Sequence, residues 1–104
     1  MRRKLVAQPQ ADLDIIEHCN FLGERQPSVV ASFKQAIRDA YASIRSKPRS
    51  GATLVNLLPP EIELRFQKPH GYKNYLVIYQ VTDDSVVILR VLHGSQDISA
   101  ALHP

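Results

Sequence analysis

Two apolar runs rich in β-branched and aromatic residues, 72–81 and 86–94, flank the acidic pair Asp83-Asp84. That layout predicts an antiparallel hairpin, because such side chains fit a pleated surface and the polar pair marks the turn. Upstream, Ile62-Glu63-Leu64-Arg65-Phe66 alternates apolar and polar positions, as a strand with one wet face does. Lys68-Pro69-His70-Gly71 reads as the turn between this strand and the hairpin.

The first half has helical spacing. After a short strand candidate at 4–7, Pro9 suits the first turn of a helix. Leu13, Ile16 and Asn20 then line one side and Ile15, Cys19 and Leu22 another, as far as Gly23. Pro27 opens a second helix in which Val30, Phe33, Ile37, Tyr41 and Ile44 recur every three or four residues, a stripe that faces a core. It stops before Pro48, and Arg49-Ser50-Gly51 mark the break. The short connection between the helices predicts an antiparallel pair. Residues 52–60 read as an irregular loop whose apolar run, Leu54 to Leu58, is either a strand or a cover over the core edge. Residues 97–102 predict a short final helix. The fold class is α+β: an N-terminal strand, then a two-helix hairpin packed on a three- to four-stranded antiparallel sheet, as one domain over 1–104.

Composition narrows this little. With 104 residues the chain can build one two-layer core. No apolar run approaches the ~20 residues of a membrane helix, and no signal-peptide core follows the basic Met1-Arg2-Arg3-Lys4, so a cytoplasmic location is expected. A single cysteine, Cys19, excludes an internal disulfide and any multi-cysteine metal site; it reads as a small buried apolar residue. The formal charge of +3 suits an acidic protein partner or a nucleic-acid contact.

Candidate chemistry gathers at the end of the hairpin. Arg90 interrupts a strand where a buried aliphatic residue is the norm, so it has either a partner or a task. Glu63, Asp97 or a backbone carbonyl are the partners the sequence offers. His93-Gly94 reads as a strand terminus, with Gly94 freeing the turn and His93 capping carbonyls. Asp97 is placed to cap the final helix. Tyr75 and Tyr79 share parity with core positions and are expected to pack. The four histidines, His18, His70, His93 and His103, show no metal-ligand spacing, and no glycine loop cradles a phosphate, so neither metal nor cofactor is expected.

These residues resemble the RelE/ParE superfamily of bacterial type II toxins, and within it the ParE branch. The resemblance covers nearly the whole chain. It runs from Ala11-Asp12-Leu13 with Ile16, through Pro48-Arg49-Ser50-Gly51 and Leu64-Arg65-Phe66, to 72–79, Leu89-Arg90-Val91-Leu92-His93-Gly94 and Asp97-Ile98. It implies a small toxin of a plasmid-stabilising toxin–antitoxin pair, causing growth arrest and neutralised in a hetero-oligomer by a ParD-like antitoxin.

Two activities follow from the resemblance. ParE-type toxins bind DNA gyrase and trap it on cleaved DNA, which requires a surface and no catalytic group. RelE-type toxins cut messenger RNA on the ribosome, which needs a base, an acid and cations for the phosphorane charge. For that chemistry the candidates are Arg65, Lys68, His70, Lys73, Arg90 and His93, with Arg65 and Arg90 expected on adjacent strands and able to clamp one phosphate. RelE-type toxins typically carry a C-terminal tyrosine, whereas no tyrosine follows Tyr79 here and His103, next to the last residue, is expected to be loosely held. Gln80 and Ser95-Gln96 stand where the ParE pattern is often basic. The favoured reading is gyrase inhibition with Arg65, Arg90, His93 and Asp97 as target contacts. The alternatives are the ribosome-dependent nuclease and a non-toxic relic that binds antitoxin.

Overall fold

In a computed structural model describing residues 3–103, strand β1 (Lys4–Ala7) leads into helices α1 (Pro9–Arg25) and α2 (Val29–Ser46). A single 3-10 turn (Pro48–Ser50) follows, then β2 (Ala52–Thr53), β3 (Glu63–Gln67), β4 (Tyr75–Val81), β5 (Ser85–His93) and α3 (Ile98–Leu102). Met1 and Arg2 of the basic N-terminus lie outside the described residues, as does Pro104. Pro9 starts α1 where its missing N–H costs nothing, and Asp97 starts α3 by accepting from the Ala100 N–H at 3.0 Å.

The five strands lie in the order β1-β5-β4-β3-β2. Neighbours from β2 to β5 run antiparallel, but β1 runs parallel to β5, with Lys4 opposite Ser85 and Ala7 opposite Ile88. The sheet is thus mixed and five-stranded, where the sequence predicts an antiparallel sheet of three or four. Alternation over four residues reports a buried face and says nothing about the direction of a partner. The parallel partner is also reached only after a long crossover, here the helical hairpin and three strands. Two residues of the irregular loop form the outermost strand, β2, while its Leu54, Leu57 and Leu58 cover the second face of the sheet.

Each face carries its own core. On the helical side Phe33, Ile37 and Ile44 of α2 and Ala11 and Cys19 of α1 bury against Val77, Tyr79, Ile88 and Val91. On the other, Leu64, Ile78 and Leu92 lie beneath the loop and the Ile98, Ala101 and Leu102 side chains of α3. Full burial of each large side chain stabilises the fold by about 1.5–3 kcal/mol. A bulge divides β5: Ile78 pairs with Arg90 but Tyr79 with Ile88, which leaves Leu89 as the extra residue. Ile88 and Val91 therefore both reach the helical core although they are three residues apart, and Leu89 and Leu92 both reach the second core.

Two tyrosines mark polar points in the helical core. The Tyr79 hydroxyl donates to the Pro48 carbonyl, passing so close to Gly51 that a Cβ there would stand 2.2 Å from its oxygen. Only glycine fits at that crossing. The Tyr41 hydroxyl is buried without a hydrogen-bond partner among the described residues. Burial, then the negative charges of Asp12 and Asp14, push its pKa from 10.0 up to about 12.

The folded state therefore resists ionising Tyr41 while the unfolded chain does not. Its contribution is intact below about pH 10 and declines as pH rises toward 12. Tyr41→Phe should abolish that alkaline decline. It should also raise stability at neutral pH by up to about 1 kcal/mol, because an unpartnered buried hydroxyl is removed. Urea unfolding of both proteins at pH 7 and pH 11 measures the two effects.

Candidate functional site

Strand β1 stops at Ala7, and the Gln8 N–H to Ile88 carbonyl bond, 2.9 Å, continues its ladder by one residue. Past that point the outer edge of β5 has no neighbouring strand. Helix α1 takes over. Asp14 and His18, one turn apart, face Val91 together: the Val91 N–H donates to Asp14 Oδ2 at 2.9 Å, and His18 Nε2 lies 2.7 Å from the Val91 carbonyl. A carbonyl only accepts, so His18 Nε2 carries a proton. At His93 the N–H donates to Gln96 Oε1 at 2.7 Å and the carbonyl accepts the Gln96 N–H at 2.9 Å. The edge is closed to strand addition here by side chains rather than by a strand.

Arg90 completes this arrangement. Its Nε and Nη2 donate to the two oxygens of Asp14, each at 2.8 Å, and Nη1 donates to the Ala101 carbonyl at 3.0 Å. Asp14 is 3% exposed. The hydrogen bonds that Arg90 donates to Asp14 raise the pKa of its guanidinium above the usual arginine range. The partner is neither Glu63 nor Asp97, which the sequence offered, although a backbone carbonyl does take part. Asp14 was overlooked, yet it left a signal: it sits in phase with Ala11, Ile15, Cys19 and Leu22, so a carboxylate occupies the core stripe of α1.

Arg65 is engaged elsewhere. Its Nε donates to Glu63 Oε2 at 2.8 Å and its Nη1 to the Gly51 carbonyl at 2.7 Å, while Arg49 binds the same carboxylate through two bonds of 3.0 and 2.9 Å. Hydrogen bonds from Arg49, then from Arg65, hold the Glu63 carboxyl below the usual range. Arg65 and Arg90 are not on adjacent strands. β4 separates them, with Arg65 opposite Tyr79 and Arg90 opposite Ile78, so they do not clamp one phosphate.

His93 lies at the other end of the sheet from the Glu63 network. Its Nδ1 accepts the Ser95 N–H at 3.1 Å and meets Ser95 Oγ at 2.7 Å, and its ring stands edge-on to Tyr75 at 5.0 Å. His93 thus caps an N–H in place of the expected carbonyls. Gly94 has no left-handed backbone; its N–H donates to the Asn74 carbonyl at 2.7 Å, and a Cβ there would approach that oxygen to 3.3 Å. Lys68, Lys73 and His93 line one open cleft of about 450 Å³ with Asn74 and Ser95. His70 is exposed on the preceding turn, Asp97 caps α3, and His103 Nε2 meets the Leu57 carbonyl. Among the described residues no three His, Cys, Asp or Glu side chains converge as a metal site would require.

The architecture is thus a helical hairpin across a mixed sheet, with the two strand arginines tied into ion pairs and Lys68, Lys73 and His93 gathered at one cleft. The family model described as the ParE toxin of type II toxin-antitoxin system, parDE, matches residues 5–98. The chain belongs to this family and is a toxin of a type II toxin–antitoxin system, with a cognate antitoxin as partner. Comparison with curated proteins found no match.

Arg90→Ala should destabilise the fold by about 3–5 kcal/mol, because it strands a buried carboxylate. Asp14→Ala should also destabilise, and the double variant should lose less than the sum of the singles; denaturant unfolding of all three tests the pairing. Glu63 has a separate acid signature. Since its folded pKa is depressed, its contribution is present above pH ~4.5 and is lost as pH falls through the lower folded value. In thermal unfolding between pH 2 and 6, Glu63→Gln should show a flatter acid slope than the wild type.

Proposed function

We propose that this toxin inhibits DNA gyrase by surface contact, holding the enzyme on cleaved DNA, and that the end of the sheet around His93 is where it meets its target. The observation that carries this reading is the state of Arg65 and Arg90. The phosphate clamp on which the nuclease reading leans needs both guanidinium groups together and free to meet the developing charge. Both arginines are instead bound to carboxylates and carbonyls on strands that β4 keeps apart. ParE membership supports the same target. Of the four candidate target contacts, His93 is partly buried and lines both open clefts at this end. Arg65, Arg90 and Asp97 serve the target indirectly, by holding β3, β5 and α3 in place.

The antitoxin has a separate place to bind. Leu13 and Ile16, three residues apart on the outward side of α1, are 52% and 55% exposed. An acidic amphipathic segment suits that apolar strip on a chain of charge +3.

A supercoiling and cleavage assay with purified gyrase tests the reading. Wild-type protein should accumulate cleaved DNA, antitoxin should reverse this, and His93→Ala should weaken it at least tenfold while remaining folded. A folded, antitoxin-binding chain with no effect on gyrase would overturn the proposal. Codon-positioned cuts in transcripts would then identify a ribosome-dependent nuclease, and intact transcripts with normal growth would identify a relic that only binds antitoxin.

A further inference from the structure

The end of the sheet at His93 carries two open clefts that share His93 and Ser95, and their chemistry differs. One is the basic cleft of Lys68, Lys73 and Asn74. The other, of about 390 Å³, lies against α1 and is lined by His18, Phe21 and Tyr75 with Glu17 at its side. Stretch 64–82 contains Arg65, Lys68, His70 and Lys73 and no acidic residue. None of the ion pairs among the described residues involves Lys68 or Lys73, so both ammonium groups are uncommitted.

The second cleft is aromatic on several sides. Tyr75 stands edge-on between the rings of His18 and His93, each at 5.0 Å. Phe21 is 51% exposed, with the Arg25 guanidinium 4.1 Å over one face of its ring and the other face unstacked by any ring among the described residues. An exposed aromatic ring beside a guanidinium and a carboxylate matches a planar heterocycle that stacks and donates hydrogen bonds from amino groups. Cations next door match the phosphodiester to which such a heterocycle is attached. His93 completes the junction: with Nδ1 occupied by the Ser95 N–H, its Nε2 is the nitrogen left to donate.

We infer that this paired cleft is a binding site for single-stranded nucleic acid, with phosphates on Lys68, Lys73 and His93 and a base against Phe21, the buried Tyr75 ring forming the cleft floor. Binding is non-covalent and involves no cleavage. The proposal does not depend on the gyrase reading, since it concerns the toxin and the strand alone. Duplex fits poorly: its bases are already stacked on one another, and only an unpaired strand presents a free base face next to its own phosphate.

The test is fluorescence anisotropy of the full chain with labelled ten-nucleotide DNA and RNA strands, and with the corresponding duplex, from 50 to 200 mM salt. Binding of a single strand should weaken with salt. Lys68→Ala/Lys73→Ala should lower affinity at least tenfold and reduce the slope of log affinity against log salt by about 1.4, two phosphate contacts at ~0.7 each. Phe21→Ala, an exposed change that leaves the charge intact, should weaken binding about fivefold or more through lost stacking. Arg38→Ala/Arg45→Ala, on the C-terminal half of α2, removes the same charge away from the clefts and should have a much smaller effect. Whichever of DNA and RNA binds more tightly identifies the strand. No binding, equal weakening by the two double variants, or duplex bound as tightly as single strand would overturn the inference.

Discussion

The buried carboxylate of Asp14 is the contact on which the arrangement of this protein depends. It joins three elements that are far apart in sequence: α1, through its own side chain; β5, through the Val91 N–H and the Arg90 guanidinium; and α3, through the Arg90 bond to the Ala101 carbonyl. A charge at 3% exposure is tolerated only when its lone pairs are filled, and here two guanidinium donors and a backbone donor fill them. Such a pair adds little net stability over apolar residues of the same size, but removing one partner is costly. Its value here is geometric. With His18 on the Val91 carbonyl, it lets β1 end after four residues and allows α1 to cross where a longer strand would otherwise be required.

The bulge at Leu89 makes this geometry possible. In a regular strand Val91 and Ile88 would point to opposite faces. The extra residue puts both into the helical core and turns the Val91 backbone toward α1. Arg90 then leaves the strand at its open edge, where Asp14 meets it, while its tip reaches α3 on the other side of the sheet. The helix face and the loop-covered face are thus linked around the edge of β5, by one side chain.

Much of the fold was legible because it rests on local patterning. Both long helices, the final hairpin, the short last helix and the buried phase of Tyr75 and Tyr79 follow from periods of 3.6 and 2 read directly from the chain. What escaped was nonlocal. The parallel docking of β1 on β5 depends on where a long crossover ends, and β2, at two residues, is too short to have a period. The site divides the same way. Arg90 stands out because a charge breaks an apolar run, but its partner lies 76 residues away, farther along the chain than Glu63 or Asp97. Asp14 broke the apolar stripe of its own helix in the same manner. Two opposite charges, each in a core phase, are a pair waiting to be matched, and matching them would also have placed α1 on β5.

The two ends of the sheet differ in how far their polar groups satisfy one another. At the β2 end, Arg49, Glu63, Arg65, Gly51 and Tyr79 satisfy one another and leave little for a partner to use. At the His93 end, Lys68 and Lys73 make no ion pair among the described residues and an aromatic cleft stands open. Helix α1 borders both the aromatic cleft and the frame. Its inward side holds Asp14 and His18. On its outward side Leu13, Ile16 and Glu17 are spaced three and four residues apart, so they form one strip. Glu17 belongs also to the aromatic cleft, with Phe21 one turn further on. A helix laid along the Leu13–Ile16 strip therefore abuts the cleft without having to enter it. On the proposed reading, an antitoxin seated there would stand beside the His93 end and leave the Asp14 anchor untouched.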